Sequence, residues 1–264
     1  MSAAAASSPL RILLTNDDGI HAPGLFALKR ALDAAGHRVT VCAPDRPRSA
    51  ASHAITLHKP LRISEVTLPD GTVGYAPSGT PSDCALMGLD EVAPGKIDLV
   101  VSGVNHGPNL GWDVIYSGTV AAAMEAVILG VPAIAVSTAS YEPNLHYETA
   151  AAFVADTLAP AVGAHGLPPH VLLNVNVPNL PPDEIRGVQL TVMGARQYVD
   201  RLEKRLDPTG RPYYWLGGKI HDKETPSGTD SHAIGDGFIS VTPIHLDMTA
   251  HALLPVLKAW AIET

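Results

Sequence analysis

The 264 residues are 46% hydrophobic and 17% charged, enough for one large α/β domain or for a domain with an appendage. A formal charge of −8 leaves no basic surplus for duplex DNA or RNA, and no stretch is apolar enough to span a bilayer. Neither point excludes a small phosphorylated ligand. Only 5% is aromatic, so Ala, Val, Leu and Ile must fill the interior, as in a helix-covered parallel sheet. Cys42 and Cys84 show no CxxC or zinc spacing and read as buried free thiols, which predicts a cytoplasmic, reducing setting. Met1 to Ser8 is Ala/Ser-rich, lacks a basic or long apolar region, and reads as a disordered tail.

The first predicted element is a buried strand, Leu10 to Leu14. It breaks into Asn16-Asp17-Asp18-Gly19, with Pro23 placed as the first residue of a helix running to Ala35. A second strand, Arg38 to Ala43, completes a βαβ unit. A loop of Arg and Ser, Pro44 to His53, follows. Short strands are then expected at Ile55–Leu57, Leu61–Val66 and Thr72–Ala76, in an antiparallel excursion. Thr80 caps a helix that opens at Pro81 and runs to about Val92, with Asp83 completing a capping box. Ile97 to Val101 is a buried strand leading into a glycine- and asparagine-rich loop, Ser102 to Gly111. A small-residue helix, Val120 to Leu129, opens behind Tyr116-Ser117-Gly118-Thr119, and such a start suits an anionic phosphate. A strand at Ala133–Ser137, a helix at His146–Val162 and a last sheet strand at Val171–Val177 complete the core.

After Pro178 the pattern changes. Strands at Gln189–Met193, Pro212–Leu216 and Phe238–Pro243 are separated by long charged connectors, and a terminal helix is expected from His251 to Ile262. The expected organisation is a tail (residues 1–8), a Rossmann-like α/β core with a mostly parallel three-layer sandwich (9–187), and a β-hairpin oligomerisation arm with the terminal helix (188–264), core and arm forming one integrated domain. Tyr198, Tyr213, Tyr214 and Trp215 cluster in the arm of a chain otherwise poor in aromatics, which points to an oligomeric contact by exchange of arms. Folding of the arm back onto its own subunit is the alternative.

Two carboxylates at the carboxyl end of a strand sit where open α/β sheets bind ligands. Side by side they repel, and a divalent cation holds them together. The same Asn-Asp-Asp-Gly is also good turn chemistry, and an Asp before a helix is a common cap. Asp17, Asp18, Ser49 and Asn105 form a set of hard oxygen donors, each just past a strand, and such a set favours Mg²⁺ or Mn²⁺ over zinc. The chain lacks a dinucleotide fingerprint, the Gly-Lys-Ser/Thr of a P-loop, a Gly-x-Ser-x-Gly elbow and His-Glu-x-x-His. Asp17-Asp18 is not the Asp-x-Asp of dehalogenase-type phosphatases either.

Ile12–Gly24, Ala43-Pro44-Asp45-Arg46-x-Arg48-Ser49, Gly79-Thr80-Pro81-x-Asp83-Cys84, Val101–Gly111 and Tyr116–Glu125 together resemble the SurE family, the survival-protein nucleotidases. The similarity extends to Asn174–Pro178, Gly228-Thr229-Asp230 and Thr242-Pro243. It implies a metal-dependent phosphomonoesterase acting on nucleoside monophosphates at the 5′ position, with 3′-nucleotidase and exopolyphosphatase activity as further options. One divalent ion per subunit would be held by Asp17, Asp18, Ser49 and Asn105, with Asp17 or Asp18 as ligand, base or nucleophile. Amides of the glycine loop at Gly107, Asn109, and Ser117, Gly118 and Thr119 would hold the phosphate. The resemblance also implies arm-exchanging homodimers, often paired into homotetramers. His53 and His106 depart from the family pattern; both read as supporting or solvent-facing groups. Arg46 and Arg48 read as loop pins, and Asp230 and His232 as stabilisers of the arm. A protein that binds metal and nucleotide without turnover is the competing class.

Overall fold

The structure, a computed structural model, describes residues 8–93, 95–195, 198–199, 202–217, 219–220, 225–260 and 262. Of the expected tail, residues 1–7 lie outside the described residues.

The apolar run after Leu10 forms β1 (Arg11–Thr15), followed by α1 (Pro23–Ala34) and β2 (Arg38–Val41). A two-stranded antiparallel excursion comes next, β3 (Ile63–Thr67) with β4 (Val73–Pro77). The strand expected at Ile55–Leu57 does not form. That segment is loop, tied down where Thr56 donates N–H and hydroxyl to the two Asp83 oxygens at 2.9 and 2.6 Å. Helix α2 (Pro81–Met87) opens on the expected capping box of Thr80 and Asp83 and continues as a π-turn over Gly88–Val92. Then come β5 (Leu99–His106), α3 (Gly118–Ile128), β6 (Ala133–Thr138), α4 (Tyr147–Phe153), a π-turn to Leu158, α5 (Ala159–His165) and β7 (Val171–Val177). The expected single helix at 146–162 is thus two α-segments joined by that turn.

Among the described residues the main sheet has seven strands, in the order β2-β1-β5-β6-β7-β13-β8. Here β8 is Val188–Leu190 and β13 is Ile239–His245. The five strands from β2 to β7 are parallel, β13 runs antiparallel to β7, and β8 pairs with β13. This corrects the expectation that Val171–Val177 is the last strand of the sheet, since β8 and β13, both within residues 188–264, extend it. The alternating Ile239 and Val241, both buried, let β13 cover the open edge of β7. What projects is the middle of the segment. It comprises β9 (Tyr198–Val199) paired with β12 (Lys219–Ile220), and a hairpin of β10 (Leu202–Leu206) with β11 (Pro212–Leu216). Helix α6 (Asp230–Gly235) returns the chain to β13. The terminal helix is shorter than expected, a 3₁₀ turn at His251–Leu253 and then α7 (Leu254–Lys258).

The sheet is packed on both faces. Ile12, Leu14, Val101, Ile134 and Val175 meet α1, α4 and α5, while Leu13, Val100 and Ala135 meet α2 and α3. The crossovers β5–α3–β6 and β6–α4–β7 step the same way along the sheet with helices on opposite faces. They therefore have opposite hands, a departure from the usual rule. Cys42 and Cys84 are buried and unpaired, and burial pushes the Cys42 thiol up to about 12. No helix among the described residues is long and apolar enough to cross a membrane.

Strand order reverses between β1 and β5. The first crossover leaves β1 for β2 on one side, and β5 then lands on the other side. The carboxyl ends of these two strands splay there, which opens a crevice. Between Ser102 and Asn105, opposite Val136, β5 carries one extra residue relative to β6, a bulge that turns Asn105 toward the crevice. The bulge also presses the Val104 carbonyl onto α1, where a Cβ on Gly24 would stand 2.1 Å from that oxygen. Gly24→Ala is therefore expected to cost about 2–3 kcal/mol in urea denaturation. Gly235→Ala, with nothing within 4 Å of its Cβ position, is expected to leave the midpoint unchanged or raised.

Candidate functional site

The turn after β1 spends its capping chemistry on residues other than the two acids. Asn16 Oδ1 accepts the Gly19 N–H at 3.1 Å, and its Nδ2 donates to the Gly19 carbonyl at 3.0 Å. Gly19 sits at φ +96°, where a side chain would be strained. Helix α1 is capped at Ala22 with no side-chain bond. Neither Asp17 nor Asp18 serves as a turn former or helix cap.

Asp17 lies against the first turn of α3. Its Oδ1 accepts the Thr119 hydroxyl at 2.5 Å, and a Cβ on Gly118 would stand 2.8 Å from Asp17 Cβ, so only glycine allows this approach. Burial pushes the Asp17 carboxyl up to about 6; the Thr119 hydroxyl opposes that shift, and the Asp18 charge adds to it. Asp18 Oδ2 accepts the His106 N–H at 2.9 Å. Its pKa is also raised, by burial first, with the His106 amide opposing. The protein thus holds two adjacent carboxylates in a place that disfavours their charge.

A cleft of about 240 Å³ opens beside them, lined by Asp17, Ser49, Asn105, Gly107, Asn109 and Ser117, with Tyr116 and Tyr141 on its walls. Asn105 donates Nδ2 to the Gly107 carbonyl at 2.8 Å, which leaves its Oδ1 as an acceptor. Ser49 comes from the loop after β2, where Arg48 N–H donates to the Asp17 carbonyl at 2.7 Å. Asp18 adjoins the cleft through its bond to His106. Among the described residues no lysine or arginine lines the cleft. Arg48 points its guanidinium to Asp45 and the Ser78 carbonyl, a loop pin, and Arg46 is exposed beside Asp45.

The expected phosphate group of residues divides. Gly107, Asn109 and Ser117 line the cleft, whereas Gly118 and Thr119 do not. Thr119 is fully buried and its hydroxyl is committed to Asp17. Ser117 Oγ caps α3 by accepting the Val120 N–H at 3.1 Å. Asn109 is a fixed turn residue. Its N–H goes to Asn176 Oδ1, its carbonyl accepts from Asn174 and Asn176, and its Nδ2 donates to Ser137. Asp230, fully buried, accepts the Gly111 N–H at 2.7 Å and the Gly194 N–H at 2.9 Å, so it braces the glycine loop as well as the foot of the arm. The roles of Ser137, Asn174 and Asn176 depend on contacts between distant segments that the sequence does not show, whereas Asp230, expected as a stabiliser of the arm, does hold its foot and in addition holds the glycine loop.

Fold and cleft together define an α/β protein with an acid-lined site at the topological switch of a largely parallel sheet. The sequence matches the family model for Survival protein SurE over residues 12–200. It is 50% identical to 5'-nucleotidase SurE of Geobacter sulfurreducens over 96% of this chain and 95% of that protein. It is 48% identical to 5'-nucleotidase SurE of Heliobacterium modesticaldum, over 95% and 92%. The crystal structure of the SurE protein from Aquifex aeolicus superposes with a TM-score of 0.83 at 41% identity, over 95% of this chain and 99% of that one. The chain belongs to the SurE family.

The buried acid has a measurable signature in the metal-free protein. Asp17 is raised from its ordinary 3.8 to about 6, so the folded state keeps its proton over a range where the unfolded chain has lost it. Its penalty on folding is absent below pH 3.8, grows as pH rises, and is complete above pH 6, at about 3 kcal/mol. In chelator, Asp17→Asn is expected to match the native chain in urea at pH 4 and to exceed it in stability at pH 7.

Proposed function

We propose that this chain is a metal-dependent 5′-nucleotidase that hydrolyses nucleoside monophosphates to nucleoside and phosphate. The observation that carries the reading is the charge of the cleft. Asp17 lines and Asp18 adjoins a cleft that no lysine or arginine among the described residues lines, so a phosphate dianion is repelled there unless a polyvalent cation joins them. The curated relatives' names supply the substrate class.

The donors suit such a cation. Among the described residues no three His, Cys, Asp or Glu side chains cluster, which disfavours a zinc-type site. Two carboxylates, the Ser49 hydroxyl and the Asn105 amide oxygen are all hard oxygen donors, the kind that Mg²⁺ and Mn²⁺ take. When bound, such an ion neutralises phosphoryl charge and lowers the pKa of water. The chain's own residues do the rest. The Gly107 loop, held by Asn105 and Asp230, walls the cleft beside Ser117. Its N–H groups at His106, Gly107, Asn109 and Gly111 go to Asp18, Thr138, Asn176 and Asp230, so they brace that wall and are not the phosphate donors the sequence suggested. A carboxylate oxygen of the Asp17–Asp18 pair would take a proton from the attacking water and return it to the ester oxygen as the P–O bond breaks, so that the nucleoside leaves as an alcohol and the water's oxygen stays on the phosphate.

The reading extends to assembly. Leu202, Leu206, Tyr213, Tyr214, Trp215 and Leu216 are all exposed on the β10–β11 hairpin of one chain, and an isolated hairpin is marginal in water. We infer that the hairpin seats on a second copy, as a homodimer by arm exchange or a homotetramer built from it. The side chain of Tyr198, expected in the same cluster, lies outside the described residues. The buried free thiols fit a cytoplasmic setting.

Phosphate release from AMP is expected to vanish in EDTA and to return with Mn²⁺ or Mg²⁺. Asp18→Asn should lower kcat by roughly 100-fold or more while the protein stays folded. Full activity in EDTA would refute metal dependence. A monomer mass in light scattering would refute arm exchange.

A further inference from the structure

Resting on the metal site proposed above, the geometry points to His53 and Glu125 as positioning residues that hold Ser49 at the site. The pair lies outside the cleft lining, and neither residue touches the carboxylates.

Ser49 sits in a loop that has no strand or helix of its own between β2 and β3. Two of its residues, Ala50 and Ser52, take left-handed backbone conformations, each at φ +54°. Without glycine such conformations are strained, and they persist only where the surroundings over-determine them. The surroundings here can be named. On the near side of Ser49, Arg48 N–H donates to the Asp17 carbonyl at 2.7 Å. On the far side, Ser52 donates its N–H to the Tyr116 carbonyl at 3.1 Å and its hydroxyl to the Ile115 carbonyl at 2.9 Å. His53 Nε2 then meets Glu125 Oε2 at 2.8 Å.

Glu125 is the unusual partner. It stands on α3 among buried alanines and valines, with a side chain only 12% exposed. A carboxylate in that setting is costly unless paired, and His53 is its partner across 72 residues of sequence. The bond therefore pulls the loop onto α3 as strongly as it satisfies the acid. The same helix carries Thr119 and Gly118, which fix Asp17. One helix thus references two of the candidate donors. Its first turn sets Asp17, and its later turn, through Glu125 and His53, sets the span that carries Ser49. Loss of the pair frees Ser49 without touching Asp17, Asp18 or Asn105.

The test is Mn²⁺ binding by calorimetry on the full chain and on Glu125→Ala, His53→Ala, the double variant and Glu125→Gln. Melting temperature and AMP kinetics are measured at varied Mn²⁺. Both alanine variants are expected to bind Mn²⁺ roughly 10-fold more weakly, as for the loss of groups that orient a metal's ligands. The double variant should be no worse than either single one. Glu125→Gln, which keeps a hydrogen-bonding partner for the imidazole, should recover most of the affinity. Saturating Mn²⁺ should restore kcat with little change in KM for AMP, since the pair orients a cation donor and not the nucleotide. Folded alanine variants with native Mn²⁺ affinity and a lowered melting temperature alone would overturn the proposal. If Glu125→Ala fails to fold, the half-exposed His53→Ala decides the matter by the same readout. No Mn²⁺ binding by the unsubstituted chain would overturn the metal reading itself, and this one with it.

Discussion

The site rests on the burial of two adjacent carboxylates at the point where the strand order of the sheet reverses. Folding removes Asp17 almost entirely from water and gives it a hydroxyl and a close helix start. Asp18 receives one backbone amide. Both pKa values rise, and the cause in each case is desolvation ahead of any neighbour. A fold that merely needed stability would place an amide or an apolar residue at these positions. The cost makes sense as preparation for a ligand that brings positive charge.

Other features of the core serve that arrangement. Parallel β1 and β5 deliver the Asp pair and Asn105 to the same edge, and the bulge in β5 sets the aim of Asn105. The alanine-rich face of α3 lets the helix lie close to the sheet, so that Gly118 and Thr119 reach Asp17. Behind the glycine loop, Asn174 and Asn176 of β7 hold the Asn109 carbonyl, and Asp230 holds the Gly111 amide. The last contact is notable because Asp230 also holds Gly194 at the foot of the arm. The foot of the arm and the glycine loop thus share one buried carboxylate.

Much of this was legible in the sequence where the signal is local. The run Leu10–Leu14 followed by acids, the Thr80–Pro81–Asp83 cap and the hairpin strand Pro212–Leu216 each carry their structure within a few residues. Asp17 lies just past β1, whereas Asn105 falls inside the end of β5 and Ser49 well into the loop after β2; the cleft nonetheless brings the three together. What failed was non-local. Strand β13 joins the sheet by pairing with β7 far upstream, and β8 joins it through β13 about fifty residues downstream; the local pattern of either segment gives a strand but not its partner. Thr119 looked like a phosphate contact because a helix start suits an anion, yet the anion it meets is Asp17. The His53–Glu125 pair spans 72 residues, and a lone His in a loop gives no sign of it.

The most direct measurement is a crystal of the chain grown with Mn²⁺ and a nucleoside monophosphate, examined by anomalous scattering at the manganese edge. The account predicts one strong anomalous peak per chain within bonding distance of Asp17, Asp18, Ser49 and Asn105, with the phosphate beside it against the Gly107 loop. A peak elsewhere, or a phosphate bound in this cleft with no metal between it and the carboxylates, would contradict the account.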